Sequence, residues 1–222
     1  MRIVQAAAVL ALSAAPLAAR AADVVSPLDA AIANSAHDWT GAYAGLNAGY
    51  AWGDFDVAAP APVAGDPTFG GEGPLGGFQI GYNKQLGSVV IGLEGDLQAA
   101  GIDGSTAYPG GGASTTTSLD WFSTARGRIG YAFDSTLVYG TAGLAAAGVE
   151  TSLSGAGGGS DTQTLFGIAA GAGVEQAVTE KLSLKAEYLY IDTQDKALDT
   201  GANDTQTEWD GHVVRFGANY KF

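Results

Sequence analysis

The stretch from His212 to Phe222 alternates. Val214, Phe216, Ala218, Tyr220 and Phe222 are apolar or aromatic, while Val213, Arg215, Gly217, Asn219 and Lys221 between them are mostly polar or small. Successive side chains on a strand point to opposite faces, so this pattern predicts a strand with one greasy and one wet side. It runs to the last residue, an aromatic end that suits a closing barrel strand facing lipid; the alternative is the edge strand of a sandwich.

The same period recurs upstream. Trp39 to Gly53 sets Ala42, Ala44, Leu46, Ala48, Tyr50 and Trp52 against Tyr43, Asn47 and glycines. About Leu75 to Lys84, Phe78, Ile80 and Tyr82 face one way. From Val89 to Ala99, Val89, Ile91, Leu93 and Leu97 oppose Glu94, Asp96 and Gln98. About Ser118 to Ala132, Leu119, Trp121, Ala125, Ile129 and Tyr131 oppose Asp120, Thr124, Arg126 and Arg128. Thr136 to Val149 is Ala- and Gly-rich, and its faces are not assigned. Thr164 to Val178 sets Phe166, Ile168 and Val174 against Gly167, Gly171 and Glu175. Leu182 to Ile191 sets Leu182, Leu184, Tyr188 and Tyr190 against Ser183, Lys185 and Glu187.

These are eight strands of about the ten residues that cross a bilayer when tilted. Their connections alternate in length. Gln85 to Ser88, Phe133 to Ser135 and Thr179 to Lys181 read as tight turns, whereas 54–74, 100–117, 150–163 and 192–208 are long and rich in Gly, Pro, Ser, Thr and Asp. The expected fold is all-β: an eight-stranded antiparallel transmembrane barrel with short periplasmic turns and long extracellular loops.

The N-terminus changes the picture of where the chain goes. Met1-Arg2, an apolar run from Ile3 to Ala19 and the small-x-small Ala19-Arg20-Ala21 form the pattern of a secretory leader over 1–21. Residues 22–38 read as a periplasmic tether, with a short amphipathic helix near Leu28 to Ile32 as the alternative, and 39–222 as the barrel. Beyond the leader no run of 18 apolar residues offers a spanning helix. Charged residues are 15% of the chain, against about 25% in soluble proteins. The formal net charge of −13 disfavours nucleic acid as partner. A chain with no Cys and two His, His37 and His212, holds no thiolate metal site and little for a His-based one.

An eight-stranded barrel has an interior that side chains just fill. The inward set is ionic: Glu94, Asp96, Asp120, Glu175 and Glu187 against Arg126, Arg128, Lys185 and Arg215. Registers counted from the tight turns bring Glu94 near Arg126 and Arg128, Glu175 near Lys185, and Glu187 near Arg215. Buried charges must pair, so a salt-bridge plug is expected, with a narrow cation path or a small-ligand site as the alternative. His212 has no nucleophile beside it, so no catalytic residues are assigned. Asp192, Asp195, Asp199, Asp204, Glu208 and Asp210 make the last long segment acidic; it reads as a solvated loop, or as a weak divalent-cation bridge to lipopolysaccharide.

Several stretches carry a family resemblance. Trp39-Thr40-Gly41-Ala42-Tyr43-Ala44-Gly45 with Asn47-Ala48-Gly49-Tyr50 resembles the opening strand of small alphaproteobacterial outer-membrane barrels. These surface antigens are called outer membrane immunogenic or porin-family proteins, and their barrel is similar to that of OmpA. Gly76 to Asn83, Gly92 to Asp96, Arg126 to Tyr131, Glu187 to Tyr190 and Arg215 to Phe222 are similar too. The resemblance implies an outer-membrane location and a structural or surface-exposed role. It also implies insertion by the barrel-assembly machinery through a C-terminal aromatic signal, Phe216, Tyr220 and Phe222. Some relatives are described as haem-binding or pore-forming; no His motif supports haem, although a loop tyrosine such as Tyr108 could contribute.

Overall fold

Eight strands follow one another in sequence and close on themselves. A computed structural model describes residues 37–57, 68–107, 114–154, 159–194 and 207–222. The strands are β1 (Gly41–Val57), β2 (Thr68–Leu86), β3 (Val89–Ala107), β4 (Ser114–Phe133), β5 (Thr136–Ser154), β6 (Gly159–Ala177), β7 (Leu182–Gln194) and β8 (Thr207–Lys221). Each pairs antiparallel with its neighbour, and β1 closes against β8 from Tyr43↔Lys221 to Val57↔Thr207. Closure leaves no edge for the ladder to expose.

The tight turns lie at one end. Gly87 (φ 64°) and Asp134 (φ 50°) begin the two-residue connections β2–β3 and β4–β5. A left-handed residue there matches the twist of the strands it joins. Residues 178–181 connect β6 to β7.

The strands are longer than the sequence pattern suggested. Spans of about ten residues were expected, and β2 to β6 run for 19 or 20. Much of what read as loop in 54–74, 100–117 and 150–163 therefore continues the barrel wall. Residues 58–67, 108–113, 155–158 and 195–206 lie outside the described set, and Tyr108, Asp195, Asp199 and Asp204 with them; so do residues 1–36, with the expected leader and most of the expected tether.

The outer wall has a belt and two girdles. Leu46, Ile80, Leu93, Ile129, Leu144 and Ile168 are exposed at mid-height. Tyr82, Tyr131, Phe133, Tyr220 and Phe222 ring the turn end, and Tyr50, Trp52, Trp121, Tyr188 and Tyr190 the other. From Phe222 back to His212 on β8 the belt spans ten residue steps, roughly 25 Å at strand rise and barrel tilt. That is the height of an outer-membrane apolar band, and aromatic rings suit its two interfaces.

Above the upper girdle the alternation continues but its chemistry reverses. Outward positions become Asp54, Asp56, Glu72, Asp103, Asp120 and Glu150, all exposed. Inward positions become Phe55, Phe69, Ile102, Leu119, Phe122, Leu165, Ile191 and Trp209, all buried in one apolar cluster. Water, not lipid, surrounds this part of the wall, so the wall follows the soluble rule there.

β4 slips phase once on the way. Leu119 pairs with Val149 and Trp121 with Gly148, so Asp120 is an extra residue in a β-bulge. A bulge shifts every side chain beyond it to the other face. Leu119, expected to face lipid, is buried in the lumen, and Asp120, expected inside, is exposed. The fifth strand, unassigned from sequence, turns Leu137, Tyr139, Thr141 and Ala145 inward and Val138 and Leu144 outward.

Candidate functional site: the occluded lumen

The lumen is filled in three tiers. At the turn end Trp39, Val90, Leu137 and Tyr139 form a small apolar cap. The ion-pair network lies above it, and the large apolar plug above that.

Strand alternation delivers the network. β3 brings Glu94 and Asp96, β4 Arg126 and Arg128, β6 Glu175, β7 Lys185 and Glu187, and β8 Arg215, each buried. Four carboxylates thus face four cations among the described residues. Arg126 reaches Glu94 at 2.7 Å, Asp96 at 2.9 Å and Glu187 at 3.3 Å. Arg215 lies 2.6 Å from Glu187 and 3.0 Å from Asp96. Lys185 lies 3.0 Å from Glu94, and Arg128 2.8 Å from Glu175.

The registers match the pairs counted from the turns: Glu94↔Arg126, Glu175↔Lys185 and Glu187↔Arg215. Register is not always partnership. Glu175 and Lys185 are cross-strand neighbours, yet Lys185 reaches across the lumen to Glu94 and leaves Glu175 to Arg128. Asp120 takes no part, because the bulge has turned it outward.

Neutral side chains complete the network, and none of these had been assigned to the site from sequence. The Tyr43 hydroxyl donates to Glu94 at 2.7 Å and accepts from Arg128 at 3.0 Å. The Tyr139 hydroxyl donates to Glu187 at 2.9 Å, and the Arg128 guanidinium lies 4.0 Å from the centre of its ring. Thr124 donates to Asp96 and accepts from Arg126, both at 2.8 Å. Ser183 and Asn219 donate to Glu175 at 2.6 and 2.7 Å. Asn219 in turn accepts from Gln79 at 2.6 Å, which accepts from Asn47 at 2.6 Å. The signal was present: Tyr43 and Asn47 share the small, wet face of β1. The glycines beside them are tight positions. A Cβ on Gly77 would lie 2.1 Å from the Leu97 carbonyl oxygen and 2.6 Å from Gln98 Oε1.

This arrangement holds charge still. Each ion sits among opposite charges and hydrogen bonds, which is how buried ions are tolerated. His212 lies elsewhere, on the outer face at the upper girdle, with Nδ1 2.6 Å from the Tyr188 hydroxyl and its ring near Trp52 and Tyr190. Among the described residues no group of three or more His, Asp or Glu side chains is arranged to hold a metal ion. Phe216 and Tyr220 point outward from β8, and Phe222, just past its end, is exposed as well.

A closed, tilted eight-stranded barrel with an apolar belt, two aromatic girdles and a charge-balanced, occluded lumen is a small integral outer-membrane protein. The chain matches the family model of the outer membrane protein beta-barrel domain over residues 5–222 and belongs to that family. It is 37% identical over 204 residues to the 31 kDa outer-membrane immunogenic protein of Brucella melitensis biotype 1, covering 83% of this chain and 84% of that protein. It is 34% identical over 187 residues to the 22 kDa outer membrane protein of Rhizobium leguminosarum bv. viciae, covering 84% and 80%. Among solved structures, Neisserial surface protein A aligns with a TM-score of 0.44 at 18% identity, over 82% of this chain and 98% of that one. The protein is an integral outer-membrane β-barrel whose lumen is occluded by a buried salt-bridge network.

Proposed function

We propose that this barrel stabilises the outer leaflet by binding it through divalent cations, and that its loops are what it displays. The carrying observation is a row of like charges on the outer wall. Asp54 pairs directly with Asp210, and Asp210 with Asp192, across β1, β8 and β7; Glu72 pairs with Asp103 across β2 and β3. Like charges placed opposite on a sheet are destabilising. No Lys or Arg stands at this height among the described residues. The row lies just above the girdle, level with the headgroups of the outer leaflet. Calcium or magnesium, sharing oxygen ligands between these carboxylates and lipopolysaccharide phosphates, supplies the missing counter-charge. In this reading residues 1–21 export the chain, 22–38 tether it, and Phe216, Tyr220 and Phe222 present it to the assembly machinery.

The test is thermal unfolding of the refolded barrel in vesicles with and without lipopolysaccharide, in calcium or in chelator. Calcium should raise the midpoint only where lipopolysaccharide is present, and Asp54→Asn with Asp210→Asn should reduce that rise. Midpoints indifferent to calcium in both vesicles would end the proposal.

A further inference from the structure

A missing side chain opens a hollow in the outer wall at the top of the upper girdle. On one outward row Glu72 pairs with Trp52, Trp52 with His212, and His212 with Tyr190, across β2, β1, β8 and β7. On the row above, Gly70 pairs with Asp54, Asp54 with Asp210, and Asp210 with Asp192. One row is mostly rings and the other mostly carboxylates, and Gly70 leaves a gap at the end of the second. A Cβ on Gly70 would meet nothing closer than Asp54 Oδ1, at 3.8 Å. The resulting hollow, of about 450 Å³, is walled by Trp52, Asp54, Glu72, Asp210 and His212, with glycine backbone between them.

His212 holds the ring row together. Its ring centroid lies 5.7 Å from that of Trp52, 5.3 Å from Tyr190 and 5.9 Å from Tyr188, and its Nδ1 is 2.6 Å from the Tyr188 hydroxyl. The Trp52 indole is thus kept beside the hollow while 40% of that residue stays exposed.

Ring, carboxylates and space together select a class of cation. A calcium or magnesium ion held by side chains alone needs its oxygens gathered at one point, about 2.0–2.6 Å away. Asp54, Glu72, Asp210 and His212 are not arranged in that way. An alkylammonium group is bulkier. It can lie against an indole, whose ring quadrupole attracts it, and still face carboxylates on its other sides. The volume is within the range of small-ligand sites, about 300–1,000 Å³. No Lys or Arg among the described residues stands at this height to fill the hollow instead.

We propose that this hollow binds an alkylammonium group, carried by a lipid headgroup or by a free amine, against Trp52 and between Asp54, Glu72 and Asp210. The site shares Asp54 and Asp210 with the row of carboxylates bridged by divalent cations, but it needs the ring and the gap at Gly70 and no metal.

The refolded chain in nanodiscs of phosphatidylglycerol, a lipid without an amine, is titrated with choline chloride. NMR follows the Trp52 indole N–H, assigned through Trp52→Phe, and sodium chloride at equal concentration controls for screening. Choline should shift the Trp52 signal saturably and leave those of Trp121 and Trp209 in place. Gly70→Leu fills the hollow without removing a charge and should weaken that binding about tenfold or more; Glu72→Gln, on the exposed wall, should weaken it too. An equal shift with sodium chloride, or unchanged affinity in either folded variant, overturns the proposal. The wild-type comparison decides the matter if neither variant folds. Discs containing phosphatidylethanolamine separate the two sources. A Trp52 signal already at its bound position and deaf to choline assigns the lipid headgroup, and an undiminished response to choline assigns a free amine. Gly70→Leu keeps every carboxylate of the row, so the rise in unfolding midpoint with calcium and lipopolysaccharide should survive it. Loss of the choline shift with that rise intact sinks this site alone, and the reverse sinks only the divalent bridge.

Discussion

Replacing Arg126 by Met is the sharpest perturbation of the network. Its guanidinium lies within 3.3 Å of Glu94, Asp96 and Glu187, with no side-chain exposure. Met keeps much of the volume and removes the charge, so four buried carboxylates are left to three cations. Breaking a buried pair by deleting one partner costs about 3–5 kcal/mol, because the remaining charge stays desolvated. Glu94→Gln in the same background restores the balance. Each remaining carboxylate then keeps a cation: Asp96 and Glu187 share Arg215, and Glu175 holds Arg128. Gln also retains an oxygen to accept from Tyr43 and Lys185. The double variant should therefore be more stable than Arg126→Met alone, with a coupling of about 2–3 kcal/mol, at the upper end for residues in contact. Equilibrium urea unfolding of the refolded barrel in lipid vesicles, followed by tryptophan fluorescence, measures all four corners of the cycle. A cost below about 1 kcal/mol for Arg126→Met, or costs that simply add within about 0.5 kcal/mol, would refute the reasoning.

Other outcomes follow from the tiers and the belt. Ile129 is 62% exposed at the lipid face; Ile129→Arg should cost about 2–4 kcal/mol by the same unfolding assay, the penalty for Arg at the bilayer midplane. Phe122→Ala hollows the plug and should cost about 3–5 kcal/mol, whereas Asp120→Asn, on the exposed bulge, should change stability by less than about 0.5 kcal/mol. Burial, and then Lys221, hold the pKa of His37 below its ordinary value, against the opposite pull of Asp38, Glu175 and Glu180. A His with a lowered folded pKa stabilises the fold above its unfolded value, near 6.5, and loses that contribution as pH falls through the folded value. Docking of residues 37–40 should thus loosen on acidification from about pH 7.5 to 5, seen as a change in Trp39 fluorescence that His37→Gln abolishes.

The membrane-crossing half of the fold was legible because lipid demands an apolar outward face and a small lumen demands a polar inward one. Val214, Phe216, Ala218 and Tyr220 announce this without any knowledge of their partners. The ion-pair residues were legible for the same reason, being charges on the wet faces. The upper wall was not. Above the girdle the faces exchange character, so a segment such as Phe69 to Pro74 reads as loop when the rule for lipid is applied to it. The bulge at Asp120 left no mark either: Leu119-Asp120-Trp121 alternates perfectly in sequence, and only the pairing with Gly148 and Val149 shows the slip. Thr136 to Val149 resisted orientation because Ala and Gly suit both faces. Tyr139 and Thr141, polar-tipped and two apart, were its usable signal.

β4 and β5 climb about seven residues past Trp121 and Gly148 to end at Ser114 and Ser154, roughly 15–20 Å at strand rise and barrel tilt. The described wall reaches that height, well clear of the lipid. β7 and β8 are shorter, at 13 and 15 residues, and so the rim is lower on their side. The described wall therefore stands as a slanted rim, high at β4 and β5 and low at β7 and β8. Beneath it the filled wall carries the burden of folding. The apolar plug of Phe55, Leu119, Phe122 and Trp209 fills that upper wall, so the part of the barrel that stands outside the lipid carries a core of its own.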